Sequence, residues 1–192
     1  MGWNATIPAR ILRVNHGGET GAMLIYRTQI AVARWRAPDL QPFLREALAH
    51  EREHQARFRA LMPARAGKPC RAMWIWVLGG SGLGLISALL GREAILACTA
   101  AVERTVHRHL DDQIAWTETR DPELHHTIKV IQVEETAHLD YAVRNRRSPG
   151  FGWLEYVIST ATEGLIWLST RGDSTRLAAH LAAHRIRCGV ER

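Results

Sequence analysis

Glu51-Arg52-Glu53-His54 and Glu135-Thr136-Ala137-His138 repeat one pattern, a glutamate with a histidine three residues later, in two separate parts of the chain. Positions three apart on an α-helix lie on one face, about a turn from each other. Both side chains of a pair can therefore ligate one metal while the carboxylate still reaches toward another. Two more glutamates, Glu19 and Glu103, stand alone in apolar helical surroundings. Together the six have the ligand inventory of a carboxylate-bridged two-metal site, carried by four helices. The expected fold class is all-α, built on a four-helix bundle.

Apolar periodicity and punctuation place these helices at about residues 9–36, 40–62, 92–119 and 121–146. Thr6 and Pro8 suit the start of the first, Pro42 the first turn of the second, and Asp121 followed by Pro122 is an N-cap and N1 pair for the last. Each candidate ligand falls near the middle of its helix, where all four helices can share one layer. The chain also supplies a comparison. Glu123 and His126 form a third Glu-x-x-His, but beside Pro122 in a first helical turn, about 18 Å along the axis from His138 at the helical rise. That pair is expected to cap its helix or face water.

The 192 residues, 46% hydrophobic, can bury a substantial core, and the helical runs point to a single domain over 1–192. Cys70, Cys98 and Cys188 form no Cys-x-x-Cys pair, so reduced structural thiols are expected rather than a zinc ribbon or redox dithiol. A net charge of +6 and a pI near 9.9 suit nucleic acid or an anionic membrane equally. No nucleic-acid motif is present, and the tryptophans cluster beside apolar runs instead of alternating with basic residues, which sets nucleic acid aside.

From Ala72 to Gly91 no residue is charged, and Met73, Trp74 and Trp76 open the run behind Arg65, Lys68 and Arg71. About 20 apolar residues can span a bilayer. A single span here would put Glu19, Glu51 and His54 on one side and Glu103, Glu135 and His138 on the other. The helix at about 72–91 is therefore either a core helix or one lying in the membrane interface, and its flanking Trp and basic residues favour the interface. A second apolar helix at about 153–169 carries Glu155 and Glu163, which argue against a span. Trp74, Trp76, Trp153 and Trp167 are the expected membrane contacts. A basic stretch at about 171–192 follows, and no apolar signal core precedes the first helix.

Four segments recur in one known order: Arg13-Val14-Asn15-His16-Gly17-Gly18-Glu19, His50-Glu51-Arg52-Glu53-His54, Ala101-Val102-Glu103 through His109-Leu110-Asp111, and Glu134-Glu135-Thr136-Ala137-His138. From about Ile11 to about Gly172 the chain resembles the demethoxyubiquinone hydroxylases, ferritin-like di-iron monooxygenases of ubiquinone biosynthesis. The resemblance implies iron ligands at Glu19, Glu51, His54, Glu103, Glu135 and His138. It also implies two irons per chain, dioxygen as co-substrate, and an external reductant, with NADH one candidate. The implied substrate is a polyprenylated demethoxyquinone. The expected placing is peripheral, on the inner face of a membrane (the bacterial cytoplasmic membrane, or the mitochondrial inner membrane in a eukaryote), with other ubiquinone-biosynthesis proteins as further partners. Gly18 and Leu110 depart from the pattern, where alanine or threonine and, in some members, tyrosine would stand.

His109 matches a family histidine but lies about 120° around its helix from Glu103, so it is expected behind the ligands or on a proton path; His107, four residues from Glu103, is expected there or at the surface rather than as a seventh ligand, and Tyr26 either packs in the core or offers a hydroxyl behind the ligands. Gly17, Gly18 and Gly21 each cost a helix roughly 1 kcal/mol relative to alanine. Two returns would explain them: close helix packing, or room for a quinone head beside the metals. Carboxylate and imidazole ligands suit iron or manganese better than copper(I) or an iron–sulfur cluster. Two other functions use the same residues: a ferritin-like protein that oxidises or holds iron, and a non-catalytic membrane-surface component of a quinone-synthesis assembly.

Overall fold

The computed structural model describes residues 6–147, 152–169 and 173–187. They form seven α-helices and no strand: α1 (Ile7–Arg36), α2 (Gln41–Leu61), α3 (Met73–Leu90), α4 (Arg92–Thr117), α5 (Pro122–Arg144), α6 (Gly152–Ser169) and α7 (Asp173–Arg187). The four expected ligand helices and both apolar helices are present, and α7 lies within the basic stretch. Cys188, Arg171 and Arg192 lie outside the described residues.

Local chemistry sets the ends. The Thr6 hydroxyl accepts from the Ala9 N–H at 3.4 Å and the Asp121 carboxylate from the Leu124 N–H at 3.1 Å, each filling a donor that the first turn leaves bare. Arg65, just beyond α2, clamps Asp121 with two 2.6 Å bonds and holds Glu123 at 2.9 Å. That clamp accounts for the third Glu-x-x-His: Glu123 serves an arginine at the start of α5, and His126 is exposed.

Helices α1 and α2 pack together, as do α4 and α5, and the two pairs make the bundle; α3 lies along α1, and α6 along α4. One apolar cluster gathers Ile11, Leu12, Phe58, Leu110, Ile128 and Ile131. Another gathers Tyr26, Ala33, Leu44, Leu48, Leu96 and Ala142. On every bundle helix the candidate ligands fall between these two sets, so the polar layer is sealed by apolar packing on both sides. Beside it, Asn15 and Gln113 exchange two amide hydrogen bonds, 2.7 and 3.0 Å long, tying α1 to α4.

The α1–α3 contact explains four of the seven glycines on these two helices. A Cβ at Gly80 would lie 2.4 Å from the Gly21 carbonyl oxygen, and one at Gly84 2.6 Å from that of Ile25, so the two backbones touch. Gly17 and Gly21 in turn receive the ring of Trp76, whose atoms come within 2.7 and 3.0 Å of a Cβ at those positions. The sequence expectation for Trp76 is therefore corrected. It is 4% exposed and is a packing residue, because the small residues opposite leave a slot only an inward-turned ring fills. Trp74, Trp153 and Trp167 do face outward, 63%, 63% and 55% exposed.

Thus α3 has two faces: Ile75, Trp76, Gly80, Gly84 and Ala88 turned inward, and Trp74, Leu78, Ile86 and Leu89 bare. It is long and apolar enough to cross a membrane, yet it is fastened along α1. On α6 the acids find cations on the protein: Glu155 bonds Arg104 and Arg146, and Glu163 bonds Arg108 and His109. Gly82, by contrast with Gly80, has nothing within reach of an added Cβ. Gly82→Ala should raise stability by about 0.5–1 kcal/mol, and Gly80→Ala should lower it by about 1–3 kcal/mol through overpacking. Thermal unfolding of the two variants checks this by the opposite signs of their shifts in Tm.

Candidate metal centre

The bundle brings Glu19 from α1, Glu51 and His54 from α2, Glu103 from α4, and Glu135 and His138 from α5 into one buried cluster. Their ligand atoms fall into two overlapping quartets, Glu19–Glu51–His54–Glu135 and Glu51–Glu103–Glu135–His138, with the atoms of each within 4.8 Å of one another. Glu51 and Glu135 belong to both quartets, so they are the candidate bridges. Glu19 with His54, and Glu103 with His138, close the two ends. Glu135 reaches both imidazoles, Oε1 lying 3.0 Å from His54 Nδ1 and Oε2 3.4 Å from His138 Nδ1.

Four carboxylates packed this closely out of water repel one another and lack solvation. Burial lifts Glu19 to about 7 and pushes Glu51 and Glu103 well above the carboxylate range, their neighbours' negative charge adding to it. At the histidines burial opposes charge, but the surrounding carboxylates override it, holding His54 at about 9 and His138 at about 10. Glu135 is also opposed by burial, yet His138 and His54 hold it low. Without metal the cluster collects protons to balance its charge. Both oxygens of Glu51, Oε2 of Glu135 and Nδ1 of each histidine are buried with no hydrogen-bond partner. Orphaned ligand atoms on four of the six residues, converging on one buried cluster, fit divalent metal ions of the iron or manganese kind.

A pH dependence follows. Glu19, Glu51 and Glu103 have folded pKa values above the unfolded 4.5, and His54 and His138 above 6.5. Their favourable contribution is intact below those unfolded values and is lost as pH rises through the folded ones. Glu135 has the opposite sign and matters only in acid. The metal-free protein should therefore melt highest near the unfolded carboxylate value, about pH 4.5, and progressively lower toward pH 9. Metal affinity rises with pH because the ligands must be deprotonated, so the metal-loaded protein should lose less over that range. Melting curves of both forms across pH check the divergence.

Behind the ligands stand residues that sequence reasoning did and did not find. The Tyr26 hydroxyl donates to Glu103 Oε1 at 2.9 Å. His107 is held between the Glu103 carbonyl oxygen, 2.8 Å from Nδ1, and the Thr136 hydroxyl, 3.0 Å from Nε2, outside the ligand quartets. His109 Nε2 lies 3.3 Å from Glu163. Two others were missed: Glu134, 2.5 Å from His54 Nε2, and His50, whose Nδ1 is 3.0 Å from His138 Nε2. A signal was present, since each precedes a candidate glutamate by one residue and a candidate histidine by four.

A cavity of about 70 Å³ opens on the cluster, lined by Glu19, Glu51, Glu103 and Glu135 and by apolar groups including Leu83, Val106, Leu110 and Ile166, with His109 at its wall. Gly18 lines it and a Cβ there would meet nothing. The glycines near Glu19 thus divide: Gly17 and Gly21 serve packing, and Gly18 borders open space.

Residues 6–169 match the ubiquinone biosynthesis protein COQ7 family. The chain is 36% identical over 167 residues to a mitochondrial NADPH-dependent 3-demethoxyubiquinone 3-hydroxylase of Dictyostelium discoideum, covering 84% of this chain and 76% of that one. It is 36% identical over 169 residues to a 3-demethoxyubiquinol 3-hydroxylase of Rhodospirillum rubrum, covering 87% and 79%. With the mitochondrial NADPH-dependent enzyme of Homo sapiens it shares 34% over 168 residues, covering 84% and 76%.

Proposed function

We propose that this chain, which belongs to the ubiquinone biosynthesis protein COQ7 family, is an oxygen-dependent monooxygenase that hydroxylates the ring of a polyprenylated demethoxyquinone. The observation that carries this is a buried four-glutamate, two-histidine cluster opening onto an apolar cavity, in a chain whose relatives are named demethoxyubiquinone hydroxylases. The family match also weighs against an iron-storage role, which would have no use for that cavity.

Glu19, Glu51, His54, Glu103, Glu135 and His138 would hold two iron ions, which supply the activation of dioxygen when bound. One oxygen atom enters a ring C–H bond, and the other leaves as water with two electrons and two protons from an external donor. The chain's own part is to fix six ligands, exclude water with the two apolar clusters, and present an apolar wall to the ring. His109, which contacts Glu163 at the cavity edge, would hold a proton there. A quinone with an isoprenoid tail resides in the bilayer, so the bare faces of α3 and α6 are assigned to the surface of a membrane, with the protein peripheral on its inner face. Relatives named mitochondrial place theirs in that organelle.

The test is product analysis. Iron-loaded protein given a demethoxyquinone, a reductant system with NADPH or NADH, and isotopically labelled dioxygen should yield a product that has gained one labelled oxygen, seen by mass spectrometry. Oxidation of iron(II) with no labelled quinone would instead establish the iron-handling role.

A further inference from the structure

The two ends of the metal centre are backed by different chemistry, and the partners are exchanged across the bundle. His54 on α2 presents Nδ1 to Glu19 and Glu135, and its Nε2 meets Glu134 of α5 at 2.5 Å. His138 on α5 presents Nδ1 to Glu51, Glu103 and Glu135, and its Nε2 meets Nδ1 of His50 on α2 at 3.0 Å. Each backing residue stands four positions before the ligand histidine of its own helix and serves the histidine of the other. With Nδ1 turned to the cluster, each ligand imidazole carries its proton on Nε2 and donates it outward. At His54 the acceptor is a carboxylate, whose charge draws the proton and enriches the ring. At His138 it is a neutral imidazole, a weaker acceptor. His50 must then hold its own proton on Nε2, and the two rings stack at 5.2 Å with planes 14° apart.

The glutamates point the same way. Glu103 accepts a hydrogen bond from the buried Tyr26 hydroxyl at 2.9 Å, which withdraws charge from that ligand. Glu19 receives no such donor from α1. Both terminal ligands at the His138 end are thus poorer electron donors than their counterparts at the His54 end.

We infer that the two metal positions are inequivalent: the Glu19–His54 position is the tighter and fills first, the Glu103–His138 position is weaker and fills last, and Glu134 and His50 are the positioning residues that set the difference. This rests on the six-residue metal centre proposed above. Removing an outer partner of a ligating histidine typically costs about 10–100-fold in metal affinity, so the difference is measurable.

The experiment is anaerobic stepwise loading of the full chain with Co(II), followed by visible absorption and calorimetry, with no turnover required. The parent should take up two equivalents in two resolved phases. Glu134→Gln should weaken the first phase by about 10–100-fold and leave the second. His50→Ala should weaken the second alone, and His50→Glu should tighten the second alone, bringing the phases together. A merely structural role for His50 cannot produce tightening in one variant and weakening in the other. Should His50→Glu fail to fold, as read by its far-UV helical signal, the pair Glu134→Gln and His50→Ala still decides, because they must act on different phases. Two equivalents in one phase, or both variants acting on the same phase, would overturn the inference while leaving the two-metal centre standing. Fewer than two equivalents in the parent would overturn the centre itself.

Discussion

Glu51→Ala should lose both irons and fall to background hydroxylation, a drop on the order of a thousandfold or more, which is the scale of several kcal/mol of metal-supplied stabilisation. The size of the effect comes from position. Glu51 belongs to both ligand quartets, and both of its oxygens are buried without a hydrogen-bond partner, so one truncation strips each metal of a ligand. Glu19→Ala removes a ligand from one end only and should leave the other position able to bind. The bundle itself should survive Glu51→Ala, because the residues that pack it lie on either side of the polar layer. Metal-free Glu51→Ala should even melt above metal-free parent, since the variant removes a carboxylate that burial and three neighbouring carboxylates disfavour. Glu123→Ala should keep full metal content, because its carboxylate serves Arg65 at the start of α5. Iron analysis, product mass spectrometry and melting curves read these outcomes. Two irons retained in Glu51→Ala, or iron lost in Glu123→Ala, would put the metals on other glutamates.

Much of the site was legible because helical periodicity is a local property. A glutamate and a histidine three apart share a face whatever surrounds them, and their mid-helix positions predict a common layer. The third pair was separable for an equally local reason, the proline at its side. Outer partners belong to a different level. That Glu134 serves His54 rather than the His138 of its own helix depends on how α2 and α5 cross, which periodicity does not specify. Trp76 was misjudged for the same reason. Composition marks the opening of α3 as interfacial, but rotation about the helix axis turns Trp74 to the outside and Trp76, two residues on, into the slot left by Gly17 and Gly21. The charge-free run announced an apolar helix without saying which of its faces was spoken for by α1.

The divided character of α3 makes the membrane assignment testable with tryptophans that no longer count as one group. Trp74 and Trp153, both 63% exposed, lie on the bare faces of α3 and α6, and tryptophan at a headgroup boundary is favoured by its apolar ring and polar N–H. A tryptophan offers about 150–250 Å² of surface. At ~25 cal/mol per Å², transfer of part of the exposed share is worth about 1–2 kcal/mol each. Trp74→Ser with Trp153→Ser should therefore weaken binding to anionic vesicles by roughly thirty- to a thousandfold, with the melting temperature nearly unchanged. Turnover of a long-tailed quinone should fall with it, whereas a short-tailed analogue, arriving through water, should be spared. Trp76→Ser should do the reverse: it empties the α1–α3 slot, costs stability by about 3–5 kcal/mol as large core truncations do, and leaves vesicle binding of the folded fraction intact. If the double variant binds vesicles as well as the parent, lipid is not what meets these faces, and the quinone must reach the cavity from water or from another protein.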